Sequence, residues 1–567
     1  MIGLISATAA GAAARDRLAA AWPDRTRVYD GPVGDAVRSA FAQCERLVCF
    51  LATGAVVRLV APLLGGKTSD PGVVCVDEGG RFAVSLLGGH AGGANGLARE
   101  VAEVLGAEPV VTTATDAVGL PGLDTLGLPV EGDVAAVSRA LLDGEPVALR
   151  AEVPWPLPAL PFTAGGAYTV RLTDRAVRPG GHEVLLRPPS LVVGVGASRG
   201  VPAEEVLELV GSALREAGLS PLSVAELATV DAKSGEPGLV AAAERLGVPL
   251  VCHPARDLAR VEVPNPSPAP LAAVGTPSVA EAAALVRGGE LLAPKRRSAA
   301  APAMATCAVA RRPVRGRLAV VGLGPGARDL LTPRAKAELR RASVLVGLDQ
   351  YVDQVRDLLR PGTRVLESGL GAEEERARTA VAEARRGQAV ALIGSGDAGV
   401  YAMASPALAE AGDDIDVVGV PGVTAALAAA ALLGAPLGHD HVSVSLSDLH
   451  TPWDVIERRV RAAAEADLVV TFYNPRSRGR DWQLPRALAV LAGHRAPSTP
   501  VGVVRNAARP GESARLTTLG ELDPAAVDMM TVVTVGNTAT RDVAGRMVTP
   551  RGYRWQDTGR DDREAAR

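Results

Sequence analysis

Two stretches of the chain carry residues whose types and spacing can do chemistry. The first is Ser395-Gly396-Asp397-Ala398-Gly399, which follows a short apolar run ending in Gly394. Its glycines let backbone N–H and C=O groups approach a ligand, and Asp397 adds one fixed acceptor. A second apolar run, residues 415–420, ends in Pro421-Gly422. Thr424 then stands where the cap of an alanine-rich helix belongs, and Gly434 where that helix should stop. Ala425, Ala426 and Ala428 are small enough for something flat to lie against the helix start. This is the pattern of a pocket made mostly of backbone, suited to a ligand held by shape and main-chain hydrogen bonds. An ordinary βαβα segment whose glycines only make turns has the same spacing. The second stretch is LGGHAGGAN, residues 87–95, where His90 stands between two Gly-Gly pairs. A histidine in such a loop suits proton transfer, although a capping or solvated histidine fits the same residues. Asp77-Glu78, followed by Gly79-Gly80, reads equally as a hairpin turn.

The elements that must position these residues alternate. Apolar strand-like runs at 2–6, 46–51, 73–77 and 82–86 are separated by helix-like segments, the signature of an open, mainly parallel α/β layer. In such sheets the loops at the carboxyl ends of the strands collect the ligand site. Residues 118–190 are rich in proline and glycine, with weak periodicity, and read as a small linking domain. A second α/β domain spans 191–312, and residues 293–316, basic and rich in alanine and proline, hold the main boundary. The last 250 or so residues open with a strand into Gly322-Leu323-Gly324-Pro325-Gly326. A dinucleotide loop fits there poorly. The spacing is GxGxG, Pro325 stiffens the turn, and the helix starts later, with Thr332-Pro333 as cap and first residue. Further strands at 466–473, 500–505 and 531–535 run into Asn474, Asn506-Ala507 and Gly536-Asn537. The expected fold class is multidomain α/β.

Composition narrows the function. The 567 residues are 47% apolar and 3% aromatic, a chain of several globular domains. A net charge of −3 leaves no footprint for nucleic acid. No apolar run reaches membrane-spanning length, and the start lacks a basic segment ahead of its apolar part, so a cytoplasmic protein is expected. The five cysteines all precede residue 310 and show no metal-ligand spacing, so no metal site is expected.

From 318 to 553, the segments VVGLGPG, SGDAGVYAMASP, VPGVTAA, LGAPLGHDHVSVSLSDLHTPW, FYNPRSRGR, VRNAARPGE, VGNTATR and MVTPRGY resemble the tetrapyrrole (corrin/porphyrin) methyltransferases. The run through LGHDH, SLSDL, TPW and YNPRS is similar to the precorrin-3B C17-methyltransferases, the ring-contraction enzymes of cobalamin synthesis. The resemblance implies a two-lobed αβα methyltransferase over residues 313–567, with lobes at about 317–435 and 436–556. S-adenosylmethionine (SAM) is expected in the cleft between them. Its contacts by position are Pro325, Ser395, Gly396, Asp397, Val400, Thr424, Ala425, Asn474 and Ala507, and homodimers are usual in the family. In the first 312 residues, TGAVVRLVAPLL, KTSDPGVVCVDEGG, LLGGHAGGANGLARE, TTATD and VGTPSVAEAAAL resemble the cobalt-precorrin-5A hydrolases of the same pathway. Ala197-Ser198 departs from the cysteine and basic residue expected after Gly-Val-Gly.

The implied protein is a bifunctional corrin-synthesis enzyme acting on precorrins or cobalt-precorrins. Its second half would methylate C17 and contract the ring, and its first half would open a lactone and release acetaldehyde. An alternative gives the first half only a tetrapyrrole-binding, scaffolding role. Ring contraction needs proton movement, for which Asp349 takes the position of an acid/base aspartate in related methyltransferases. His439 and His441 follow as candidates, with a hydrogen-bonded turn as their other reading. Arg476 and Arg478 suit substrate carboxylates. In the first half His90 is the candidate base, with Lys67 or Arg58 stabilising charge and Glu78 beside them.

Overall fold

The computed structural model describes residues 1–66, 69–89, 92–114, 118–477 and 479–552. Lys67, His90 and Arg478 lie outside the described residues. The chain divides into two compact units, Met1–Val314 with Arg360–Gly362, and Arg315–Leu359 with Thr363–Arg567.

The first unit opens with a six-stranded sheet of order β2-β1-β3-β4-β5-β6. Its strands are β1 (Ile2–Ser6), β2 (Thr26–Val28), β3 (Arg46–Phe50), β4 (Gly72–Val76), β5 (Phe82–Leu87) and β6 (Glu108–Val110). β3 and β4 are covered on both faces and so read as unbroken apolar runs. β1, β3 and β4 pair in parallel, whereas β5 runs antiparallel to β4. Asp77 makes that reversal, accepting from the backbone N–H of Arg81 and of Phe82, each at 2.7 Å. Burial raises the Asp77 pKa, but these hydrogen bonds and the Arg81 charge outweigh it and hold the carboxyl below its usual range.

Residues 118–190, for all their weak periodicity, form a four-stranded sheet of order β7-β10-β9-β8. It comprises β7 (Val130–Gly132), β8 (Val147–Ala151), β9 (Tyr168–Leu172) and β10 (Glu183–Leu186). These strands are short and pair partly parallel and partly antiparallel, which leaves little periodic signal in the sequence. A third sheet, of order β13-β12-β11-β15-β14, joins β11 (Leu191–Ala197), β12 (Val224–Val230), β13 (Leu250–His253), β14 (Glu290–Arg297) and β15 (Ala305–Arg311). Asp174, fully buried, ties β15 to the four-stranded sheet. It accepts from Arg311 Nε at 2.6 Å and Nη2 at 3.0 Å, and from the Ser190 hydroxyl at 2.9 Å.

The second unit begins with an all-parallel sheet of order β18-β17-β19-β16-β20. It holds β16 (Arg317–Gly322), β17 (Val344–Leu348), β18 (Arg364–Ser368), β19 (Ala389–Gly394) and β20 (Asp416–Val420). The Pro333–Arg341 helix starts as its sequence directs, with the Thr332 hydroxyl accepting from Ala335 N–H at 3.1 Å. After β21 (Gly434–Ala435) comes a five-stranded sheet of order β22-β23-β26-β24-β25. Its members are β22 (His441–Ser445), β23 (Val469–Tyr473), β24 (Pro500–Arg505), β25 (Ser513–Thr518) and β26 (Thr531–Val535). β27 (Arg541–Val543) and β28 (Arg546–Val548) form a small sheet with β21. Among the described residues no helix is long and apolar enough to cross a membrane.

Candidate functional site

The carboxyl ends of β16, β19 and β20, neighbours in the parallel sheet, bring three turns together. Leu323 N–H donates to the Gly394 carbonyl at 2.9 Å, and Gly324 and Gly396 exchange both backbone hydrogen bonds, at 3.0 and 2.7 Å. The Leu323 and Gly324 N–H groups are thus spent within the protein, and Pro325 has none, which leaves little of the loop to cradle a pyrophosphate. The Asp397 carboxylate braces the turns, Oδ1 accepting from Gly399 N–H at 2.8 Å and Oδ2 from Gly422 N–H at 3.0 Å. Each oxygen takes one of these bonds and keeps further acceptor capacity. The loops cross so closely that a Cβ on Gly422 would lie 2.1 Å from the Gly396 carbonyl oxygen.

Three residues from beyond these turns complete the cleft. Tyr473, the last residue of β23, accepts from Ala426 N–H at 2.9 Å, and its hydroxyl lies 2.5 Å from that of Thr424. Thr424 does precede the Ala425–Leu433 helix as expected, but its hydroxyl makes no cap, because Tyr473 supplies the acceptor from the other lobe. The Tyr401 hydroxyl donates to the Ser443 carbonyl at 2.8 Å, and its ring lies 5.3 Å from that of Tyr473. Partial burial of the phenol, with Tyr473 adding to it, outweighs the hydrogen bond to the backbone and pushes the Tyr401 pKa above its ordinary value. Arg509 reaches across from the loop after β24, Nε donating to the Pro325 carbonyl at 2.5 Å and Nη2 to the Ser395 hydroxyl at 2.8 Å.

Backbone strain gathers at the same place. Tyr401, Asn474, Asn506 and Ala508 all have left-handed φ, between 51° and 57°. Only the two asparagines tolerate that conformation readily, and such residues persist where the surrounding structure over-determines them. Ala507 sits between two of them, and Asn474 donates through Nδ2 to the Ser445 hydroxyl at 3.1 Å. Tyr401, Tyr473 and Arg509 were not legible as site residues from spacing. Each lies inside a motif quoted above, but nothing local shows that a side chain leaves its own lobe.

The catalytic candidates separate. Asp349 follows β17 directly, at the carboxyl edge that also carries Ser395. It is exposed, and Oδ1 accepts from Gln350 N–H at 2.6 Å. His439 and His441 lie at the start of β22, whose far end, Ser445, is the residue paired with Tyr473. They make a local turn, with Asp440 N–H donating to His439 Nδ1 at 2.7 Å. The strand places them at the opposite edge from the cleft.

In the first unit Glu78 occupies the hairpin after β4 and accepts from the Thr8 hydroxyl. Residues 88–89 and 92–93, which flank the position of His90, lie instead at the start of β4. There a Cβ on Gly72 would meet the Gly92 carbonyl at 2.2 Å. The antiparallel course of β5 carries residues 88–89 to the amino edge of the sheet, at the other end from the hairpin that holds Glu78. Beside that loop is a cavity of about 300 Å³ lined by Leu64, Gly65, Gly66, Asp70, Leu87 and Gly88. Arg58 does not line it and donates to the Gly54 carbonyl at 2.8 Å. Among the described residues no group of three or more His, Cys, Asp or Glu is placed to hold a metal.

Residues 317–523 match the model of the Tetrapyrrole (Corrin/Porphyrin) Methylases. The probable cobalt-factor III C(17)-methyltransferase of Salmonella typhimurium is 48% identical over 239 residues, 42% of this chain and 99% of that protein. The chain belongs to the tetrapyrrole methylases. The precorrin-3B C(17)-methyltransferase of Sinorhizobium sp is 41% identical over 250 residues, covering 42% of this chain and 97% of that one. The crystal structure of the methyltransferase CobJ is 39% identical, covering 41% of this chain and 100% of that chain, with a TM-score of 0.40. Ahead of the methylase, residues 35–116 match the Cobalamin synthesis G N-terminal model and residues 191–310 the Cobalamin synthesis G C-terminus model. The chain is therefore a fusion, as its motifs indicate, of cobalamin synthesis G segments with a tetrapyrrole methylase.

Proposed function

We propose that the second half methylates C17 of precorrin-3B or its cobalt form, with ring contraction, using SAM. The observation that carries this reading is the match over nearly the whole length of relatives named as C17-methyltransferases. The residues present fit the cofactor. Pro325, Ser395-Gly396-Asp397 and Thr424 flank crossings at Gly322 and Gly422 that admit no side chain, Asn474 follows Tyr473, which bonds to the start of the Ala425–Leu433 helix, and Asp397 is the one acid among the expected contacts. SAM supplies an electrophilic methyl group on a sulfonium. The chain's part is alignment and exclusion of water. The Asp397 bridge holds the turns of the first lobe together and the Tyr473 hydroxyl ties them to the second, so that ligand atoms meet a cleft already formed. Asp349 is the proposed proton carrier, exposed at the carboxyl edge one strand away from Ser395. The histidines 439 and 441 are set aside on the geometry above.

For the first half the proposed reaction is lactone opening of cobalt-precorrin-5A with loss of acetaldehyde, in the cavity beside residues 88–89. The cobalamin synthesis G matches support it. A soluble cytoplasmic homodimer is the proposed state.

Anaerobic incubation with SAM and precorrin-3B or its cobalt counterpart, followed by mass spectrometry, tests the methylase reading. The expected product gains one methyl group and has a contracted ring. Binding of S-adenosylhomocysteine with no methyl gain on either substrate would leave the fold standing and overturn the C17 assignment. Acetaldehyde release from cobalt-precorrin-5A tests the first half, and retention of the lactone by active protein would reduce that half to a scaffold.

A further inference from the structure

Arg509 is placed oddly for a strap. Its guanidinium is half-buried in the cofactor cleft, and among the described residues it makes no ion pair. The nearby Glu512 is engaged elsewhere, Oε2 accepting from Ala508 N–H at 2.6 Å. A guanidinium carries five N–H donors. Two of Arg509's are spent, on the Pro325 carbonyl and the Ser395 hydroxyl, and both acceptors are neutral. Three donors and the whole positive charge are left. A half-buried guanidinium with unspent donors and no counter-charge beside it suits a site completed by an anion.

The side chain is also held in place. Its loop rises from β24 through Asn506 and Ala508, both left-handed, and Arg509 N–H donates to the Asn506 carbonyl at 2.9 Å. Its stem occupies the space that a side chain at residue 326 would need. A Cβ on Gly326 would lie 2.6 Å from Arg509 Cγ, and that glycine has φ +146°. The planar fork is thus pre-set for a planar, two-oxygen partner.

Resting on the cofactor reading above, we infer that Arg509 is a carboxylate-binding residue of the cleft. Two carboxylates are available to it, the amino-acid carboxylate of the cofactor and an acetate or propionate of the tetrapyrrole. The chemistry of recognition is the same for both.

The test uses the full-length chain and the variants Arg509→Lys and Arg509→Met. Calorimetry compares S-adenosylhomocysteine, which has the carboxylate, with 5′-methylthioadenosine, which lacks the amino-acid part. If the cofactor carboxylate is the partner, Arg509→Met weakens the first ligand about tenfold or more and barely changes the second. Arg509→Lys then recovers part of the loss. If a substrate carboxylate is the partner, both nucleoside affinities hold. The tetrapyrrole's KM, or without turnover its dissociation constant by absorbance titration, then rises about tenfold at nearly constant kcat. Equal weakening of both nucleosides would make Arg509 a strap alone and overturn the inference, as would variants unchanged in every readout. Wild-type protein that binds neither nucleoside would refute the cofactor reading itself, and the inference with it.

Discussion

Changing Tyr473 to Phe should cost less than its contacts suggest, and the reason lies in Thr424. The hydroxyl accepts from Ala426 N–H, an orphan donor at a part-buried helix start, and is hydrogen-bonded to the Thr424 hydroxyl. Removing it frees Thr424 to rotate and cap its own helix, the role its position already suits. The net loss in Tyr473→Phe is then about 1 kcal/mol. Thr424→Val leaves Tyr473 as acceptor and costs about the same. In the double variant Ala426 N–H has no acceptor at all, and the cost should exceed the sum of the singles by about 1 kcal/mol or more, since a buried unpaired donor carries its full desolvation penalty. For a unit of this size each kcal/mol lowers Tm by about 2–4 °C. Scanning calorimetry of the full chain would follow the transition that S-adenosylhomocysteine moves upward, because a ligand stabilises the unit that binds it. Additivity within about 0.5 kcal/mol would refute the shared-cap argument.

The remaining predictions concern other contacts. Gly422→Ala forces a Cβ to within 2.1 Å of the Gly396 carbonyl, so S-adenosylhomocysteine affinity by calorimetry should fall about tenfold or more. Unchanged affinity would contradict the close crossing of the loops. Burial raises the Asp174 pKa, but hydrogen bonds from Arg311 and Ser190 and the Arg311 charge prevail and hold it below its usual range. Its stabilisation is therefore complete above the unfolded value near pH 4 and is lost as pH falls through the folded one. Asp174→Ala should cost about 3 kcal/mol at neutral pH and flatten the acid limb of a pH-dependent urea denaturation series. An acid limb identical to wild type would refute this. Burial pushes the thiols of Cys75 and Cys307 up to about 12, and that of Cys49 up as well. A thiol reagent at pH 8, read by peptide mapping, should therefore modify Cys252, the part-exposed cysteine, before these three. Early labelling of Cys49 would count against that burial.

What the sequence determined by itself is the local and the collinear. Apolar runs ending in glycine, asparagine or small residues mark the strand–loop junctions, as at Gly394 and Asn474. Thr332-Pro333 starts a helix because cap and ring geometry are properties of neighbouring residues. The order of the methylase motifs likewise needs no coordinates. What only the tertiary structure decided is which loops share an edge. The hairpin at Asp77 turns β5 antiparallel and sends residues 88–89 away from Glu78, and the length of β22 holds His439 and His441 away from Tyr473. The long-range bonds of Tyr473 to the Ala425–Leu433 helix and of Arg509 to Pro325 and Ser395 are equally invisible in the sequence. Strand direction and side-chain reach are set by pairing between segments distant along the chain, and neither leaves a mark on local residue spacing.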